Sequence, residues 1–367
     1  VKTTFRITRK NFDAYTFKNA GMMGISLVEI MVGLTLGVIL SIAIIGVYIA
    51  QKNTYKTNAS QASIQNAENA ISALVSPTIR AAGFCGCATL LQGLSHLNGG
   101  GAPPLGTLGN NLSMVMGYDA ASGNALTITN NASNSNTATD WTAGLDASLL
   151  GNIVATSDVL IVLGGTPGSQ PISVTAMDEG SVSLTLQNTT GVAAGQFGAV
   201  SDCLKASIFQ ITGVTGNTIS HAAGGGVLDN ASDVLTVNYA PGSQFVSLTQ
   251  TAFFVAQNSS GQSALMRATL NTDGTWTIQS LAPGVDTMQV RYGIGSNGIP
   301  SQYVPASAVT NWGQVYAVRL GFLLEGQQGS GTKTATQFSV LGTTVNVPAD
   351  NRLRHVYEMT INLRNAT

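Results

Sequence analysis

Ile30 to Ala50 carries no charged side chain, and apolar residues fill it on every side. At 1.5 Å per residue those 21 positions make a helix of about 31 Å, the thickness of a bilayer's hydrocarbon core. From Gln51 the pattern changes to a stripe. Ile64, Ala67, Ile71, Leu74 and Val75 recur at helical spacing, while Gln51, Lys52, Asn53, Lys56, Gln65 and Glu68 fill other faces. The two patterns predict one helix from Ile25 to Ser76, about 78 Å long, that crosses a membrane and then continues as an amphipathic rod. Pro77 is expected to end or kink it, because proline cannot donate to the helix ladder.

Beyond the helix the period shortens to two. Along Arg354 to Leu363, the residues His355, Tyr357, Met359, Ile361 and Leu363 face one way and Val356, Glu358, Thr360 and Asn362 the other. Gln314 to Leu324 alternates in the same way, with Tyr316, Val318, Leu320, Phe322 and Leu324 on one face, and so does Asp286 to Tyr292. These segments predict an antiparallel sheet with one wet face, laid against the amphipathic half of the helix. Further strands are expected at 125–129, 158–163, 181–186, 206–212, 233–239, 251–257 and 264–270, with turns at Ser260-Gly261 and Asp273-Gly274. Leu97 to Gly109 and Asn130 to Thr139 read as exposed loops. Ser157-Asp158-Val159-Leu160 recurs as Ser232-Asp233-Val234-Leu235, which reads as two strands entered through similar turns. The fold class is therefore α+β: a long N-terminal helix packed on an antiparallel β-sheet in a large β-rich head, with a subdivision expected near residue 245.

Charge sharpens this reading. Five basic residues (Lys2, Arg6, Arg9, Lys10, Lys18) and one acid (Asp13) precede Gly24. The basic side faces the cytoplasm, so the C-terminal part lies across the membrane. Without this leader the chain has 16 − 5 = 11 basic and 17 − 1 = 16 acidic side chains, a net of −5. Between Arg80 and Lys205 there is no Lys or Arg, which argues against a nucleic-acid partner. The cysteines Cys85, Cys87 and Cys203 then sit in an oxidising compartment. Pairing of Cys87 with Cys203 would tie the end of the helix to the β domain, and Cys85 with Cys203 is the alternative.

A small residue that follows an apolar region marks secretory cleavage, but here Gly24 stands in front of it. A cut after Gly24 would remove the leader and free an α-amine on Ile25, four residues before Glu29. An ionisable group inside a membrane segment is costly and calls for a partner. A neighbouring subunit's amine is such a partner, and pairing it with Glu29 would fix the stagger between adjacent helices.

Gly24-Ile25-Ser26-Leu27-Val28-Glu29, followed by its apolar run, resembles the class III leader of type IV pilins and pseudopilins. That resemblance implies cleavage after Gly24 by a prepilin peptidase, methylation of Ile25, and docking of Glu29 into a filament. Major pilins carry a proline well inside this helix; here Gly46 stands there, and Gly33, Gly37 and Gly46 leave the helix able to bend. Arg80-Ala81-Ala82-Gly83-Phe84-Cys85-Gly86-Cys87, Ser201-Asp202-Cys203, Pro283 to Gly293 and Thr360 to Asn365 together resemble the PilW-like minor pilins.

The organisation that follows is leader 1–24, pilin helix 25–80 with 25–50 transmembrane, and head 81–367. The implied function is priming or capping of a type IV pilus, first in the inner membrane with a periplasmic head and then at the pilus tip. The implied partners are other minor and major pilins, the prepilin peptidase, the inner-membrane assembly platform and a tip adhesin. A type II secretion pseudopilin and a pilus-tip adhesin are the alternative functions.

Catalysis finds little support in the chain, and no cofactor is expected. His96, His221 and His355 are too scattered for a zinc site, no Gly-x-Ser-x-Gly lies in a strand-turn-helix context, and no Walker or calcium loop occurs. Asp178-Glu179 reads as a turn. Arg352, Arg354 and Arg364 read as solvated strand-edge charges or, alternatively, a docking patch.

Overall fold

A computed structural model describes residues 24–89, 93–99, 113–120, 125–129, 133–142, 145–226 and 228–366. The leader before Gly24 and most of the 97–109 loop lie outside the described residues. The chain divides into two compact units, Val1–Lys52 and Asn53–Thr367, and one helix, Leu27–Arg80, contributes to both.

In the first unit every large apolar side chain from Ile25 to Ile49 is exposed. In the second, Ser60, Ile64, Ala67, Ile71, Val75 and Ile79 are buried, three or four residues apart, and so form one stripe. Leu74, expected in that stripe, is 42% exposed, because the buried row runs through Ala67, Ile71, Val75 and Ile79 and leaves Leu74 at its margin.

The helix also passes through Pro77 and stops only at Arg80. Proline deprives the Ala73 carbonyl of its partner, and burial of Ile79 beyond it offsets that loss. The chain then leaves the helix through Gly83, at a left-handed φ of 76°, whose N–H donates to the Leu163 carbonyl at 2.8 Å.

Strand Gln244–Gln257 organises the larger, 12-stranded sheet, pairing with Ile172–Ala176, Phe197–Ser201, Val159–Gly165 and Ser263–Leu270. Position 245 falls inside this strand. The strand is buried almost without a break because both of its faces are covered, and the polar Ser247, Gln250 and Thr251 are buried along with its apolar residues. Phe253 and Val255 enter the main core, while Ala252, Phe254 and Ala256 enter a second one with Trp141, Leu149 and Ile153.

The C-terminal sheet is antiparallel, in the order Ile299–Val304, Val285–Ser296, Val315–Gln328, Arg352–Asn362. Its inner face, through Met288, Val290, Tyr292, Val318, Leu320, Phe322, Leu324 and Ile361, shares one core with the helix stripe. Leu323 and Val356, on the other face, meet a small three-stranded sheet built from 125–127, 336–340 and 343–347. This is the α+β fold read from the periodicities, a long helix with a β-rich antiparallel head.

The expected strand at 233–239 is irregular, although Leu235 and Tyr239 are buried. The Ser-Asp-Val-Leu repeat therefore ends in a strand only at its first copy, where Asp158 is buried and accepts the N–H groups of Ala120 and Val290 at 2.9 and 2.8 Å. The Asp233 carboxylate instead accepts the Ala223 N–H at 2.7 Å in a loop.

Candidate functional site

The helix begins with a local device. Ser26 precedes the first turn and its Oγ accepts the Glu29 N–H at 3.1 Å, while its carbonyl accepts the N–H groups of Glu29 and Ile30. Ser followed three residues later by Glu is the sequence of a capping box, and a carboxylate in the first turn is favoured by the helix dipole. Glu29 therefore suits the start of a helix in addition to any partner it meets. Gly24 and Ile25 lie just before this cap and are exposed.

Farther along, the helix meets the C-terminal sheet through polar as well as apolar contacts. The fully buried Ser60 Oγ accepts the Gln327 N–H at 3.0 Å, and a side chain at Gly326 would bring its Cβ within 2.7 Å of the Ser60 Cβ. Glycine there permits the close approach. Glu68 pairs with His355 on the last strand at 3.4 Å, and that imidazole is mostly exposed.

Next to this contact lies a charge cluster drawn from distant parts of the sequence. Arg354 donates from Nε to Asp286 at 2.7 Å and from its two terminal nitrogens to Asp350 at 2.8 and 2.7 Å; Glu325 stands 3.6 Å away. Arg352 reaches Glu325 at 3.4 Å and Asp350 at 3.7 Å. Arg354, expected as a solvated or docking charge, is buried with side-chain exposure of 3%, and of that trio only Arg364 is exposed. The reason is a bidentate guanidinium-carboxylate geometry that satisfies the charge inside the protein.

Three acids share two bases in this cluster. Burial pushes Glu325 up to about 7, with the Asp286 charge adding to the effect. Burial also raises Asp286 against the pull of Arg354. Asp350 is held below the usual carboxylate range; burial opposes this, but hydrogen bonds and charge from Arg354 outweigh it. A cavity of about 160 Å³ opens beside these groups, lined also by Gln257 and Gln262. Among the described residues no group of His, Cys, Asp and Glu is arranged to hold a metal ion.

Cys87 and Cys203 are disulfide-bonded, joining the segment after the helix to a turn of the large sheet across 116 residues. Cys203 adopts a left-handed φ of 71°. Cys85 is a buried free thiol that donates to the Ala88 carbonyl at 3.0 Å, and burial pushes it up to about 12. His96 is buried, 3.3 Å from the Ser207 hydroxyl, and His221 is buried against Phe209. Burial lowers His221, and His96 is close enough for its charge to add to that effect, whereas His355 lies exposed on the last strand.

Sequence reading missed Asp286 and Glu325 as partners of Arg354. They stand 68 and 29 positions away, and the only available signal was an acid placed on or beside each alternating strand.

Among the described residues one helix is apolar and long enough to cross a membrane, and its second half is rooted in a β-rich head. Residues 252–365, about a third of the chain, match the family model of type IV pilus-assembly protein W, and that part of the chain is similar to PilW-like type IV pilus proteins. The match covers the C-terminal sheet; the helix lies outside it. The matched family is a component of pilus assembly. No match was found among curated proteins or among solved structures.

Proposed function

We propose that the chain is a minor pilin, cut after Gly24 by a prepilin peptidase, that primes or caps a type IV pilus together with other pilins. The observation that carries this reading is the contrast along one helix. Its first half exposes only uncharged side chains after Glu29, and its second half buries one apolar stripe in its own head. A soluble protein would cover or break such a surface, whereas a subunit inserted in a bilayer and then packed among like helices needs it bare. The disulfide fits a head on the periplasmic side, where thiols are oxidised. Assembly then proceeds by packing: the apolar helix enters the bundle, and Glu29 takes the new amine of a neighbouring subunit as its partner.

The test is the intact mass and N-terminal sequence of protein extracted from membranes of cells with and without prepilin peptidase. A chain that starts at methylated Ile25 only when the peptidase is present supports the reading. An uncut chain in both strains overturns it.

A further inference from the structure

His221 follows the strand Thr218–Ser220 at 0% exposure, and its ring lies against Phe209 with 5.2 Å between centroids. Its backbone is held, because the N–H donates to the Val182 carbonyl at 2.9 Å. The ring is not: among the described residues neither of its nitrogens has a hydrogen-bond partner on another residue. An unpaired polar group in a core costs stability when neutral and far more when charged. This core therefore holds the imidazole only while it is neutral.

The segment 222–240, which has isolated bridges but no strand, packs over the same small core, where its Leu235 and Tyr239 are buried with Phe209 and Ile219. It is pinned at few points. The buried Asn230 accepts the Gln210 N–H at 2.7 Å and donates to the Gln210 and Ala222 carbonyls at 2.8 and 3.2 Å, and the Ala231 N–H donates to the His96 carbonyl at 2.7 Å. Gly224-Gly225-Gly226, near its start, are exposed, and such a run turns at little steric cost.

Burial lowers His221, and the charge of His96 adds to that; Asp233 and the residue's own backbone pull the other way and do not offset it. The Asp229 carboxylate is occupied by the Gly226 N–H at 2.7 Å, and burial pushes Tyr239 up to about 12, so that it stays neutral. Lys205 and Asp202 pair with each other ahead of the strand Ala206–Gln210. That strand and those at 183–186, 197–201, 213–215 and 218–220 carry no ionisable side chain.

We propose that His221 is an acid-operated latch: when its ring takes a proton from solvent it leaves the core, and the segment 222–240 lifts off Phe209 about Gly224-Gly225-Gly226 while the sheets beneath stay folded. The sign follows from linkage. The closed form holds His221 below its ordinary value of 6.5, so the open form binds more protons, and the closed form loses stability as pH drops below that value.

Hydrogen–deuterium exchange of the full chain in detergent, at pH 7.5 and pH 5.0 with the intrinsic pH dependence of exchange removed, tests this. Protection of peptides from 206–212 and 228–240 is expected to fall at least about five-fold at pH 5.0, within the ten-fold per pH unit that one proton supplies, while peptides from 315–328 and 352–362 keep theirs. His221→Leu retains an apolar side chain that takes no proton, and it is expected to confine the fall to within about two-fold. His221→Gln replaces it if the melting curve at pH 7.5 shows that the leucine variant does not fold. Protection that is flat in the wild type overturns the proposal, and so does an equal loss in every peptide, which is global acid unfolding. A full fall that persists in His221→Leu overturns it as well; if His96→Gln then abolishes that fall, the trigger is His96.

Discussion

The two halves of the N-terminal helix follow opposite rules. From Ile30 to Ile49 each large apolar side chain is more than half exposed, whereas Ile71 and Ile79 are fully buried. The backbone is the same in both, so the difference lies in the distribution of side chains. Apolar residues all round make a surface that only an apolar medium or other helices can satisfy. A stripe on one side makes a surface that a single sheet can satisfy, and here the strands at 285–296, 315–328 and 352–362 do so. The helix completes one half of its burial within its own chain and leaves the other half for such a medium.

That contrast can be broken by experiment. The largest effect is expected from Arg354→Ala, which strands Asp286 and Asp350 as buried acids beside the seam and costs about 3–5 kcal/mol; chemical denaturation of the full chain in detergent measures it, and a loss below about 1 kcal/mol would mean that the cluster is solvated. Ile71→Ala is expected to cost about 2–5 kcal/mol through lost burial and a residual cavity, seen as a lower melting temperature of the head. An unchanged melt would show that the stripe does not hold the helix.

A smaller effect concerns pH. The folded state raises Glu325 from 4.5 to about 7, so between those values it binds more protons than the unfolded chain, and this group's contribution to stability falls as pH rises through that window. The melting temperature of wild type minus that of Glu325→Gln is therefore expected to fall between pH 5 and pH 8, and a flat difference would show that the carboxyl is not raised. The smallest effect is expected from Ile39→Ala, within about 0.5 kcal/mol of the head's stability, because the exposed half has no partner in this chain. A large change in the melt there would erase the distinction between the halves.

Much of the architecture was legible because local rules and tertiary burial agree. The stripe through Ile64, Ala67 and Ile71, and the alternation through Val318, Leu320 and Phe322, each match the period of the element they form. Where tertiary forces override local ones, reading fails. Pro77 signals a stop, yet burial of Ile79 carries the helix onward; Asp233 to Tyr239 has strand-like residues, yet only Leu235 and Tyr239 find core positions and the backbone bends between them. The start of the helix was legible from Gly24 to Glu29, since the pattern is contiguous. The Arg354 cluster was not, because charge pairing across strands leaves no periodic trace: Arg354 looks like any strand-edge arginine until the fold brings Asp286 to it. The small sheet at 336–347 was missed because its strands are short, with only Phe338 and Val340 and then Val345 and Val347 alternating among polar residues, and Leu126 and Leu323 from elsewhere complete its core.

The disulfide close behind the helix has a mechanical meaning. If the helix is pulled while the C-terminal strands are held, force travels along the backbone to Cys87 and crosses directly to Cys203 through the covalent bridge. The residues between those two cysteines, which include strands at 115–118, 159–165 and 197–201, form a side loop that bears no tension. A subunit wired in this way can be stretched at its two ends without unravelling that part of its head, and a reducing agent would remove the shunt and place those strands in the line of load.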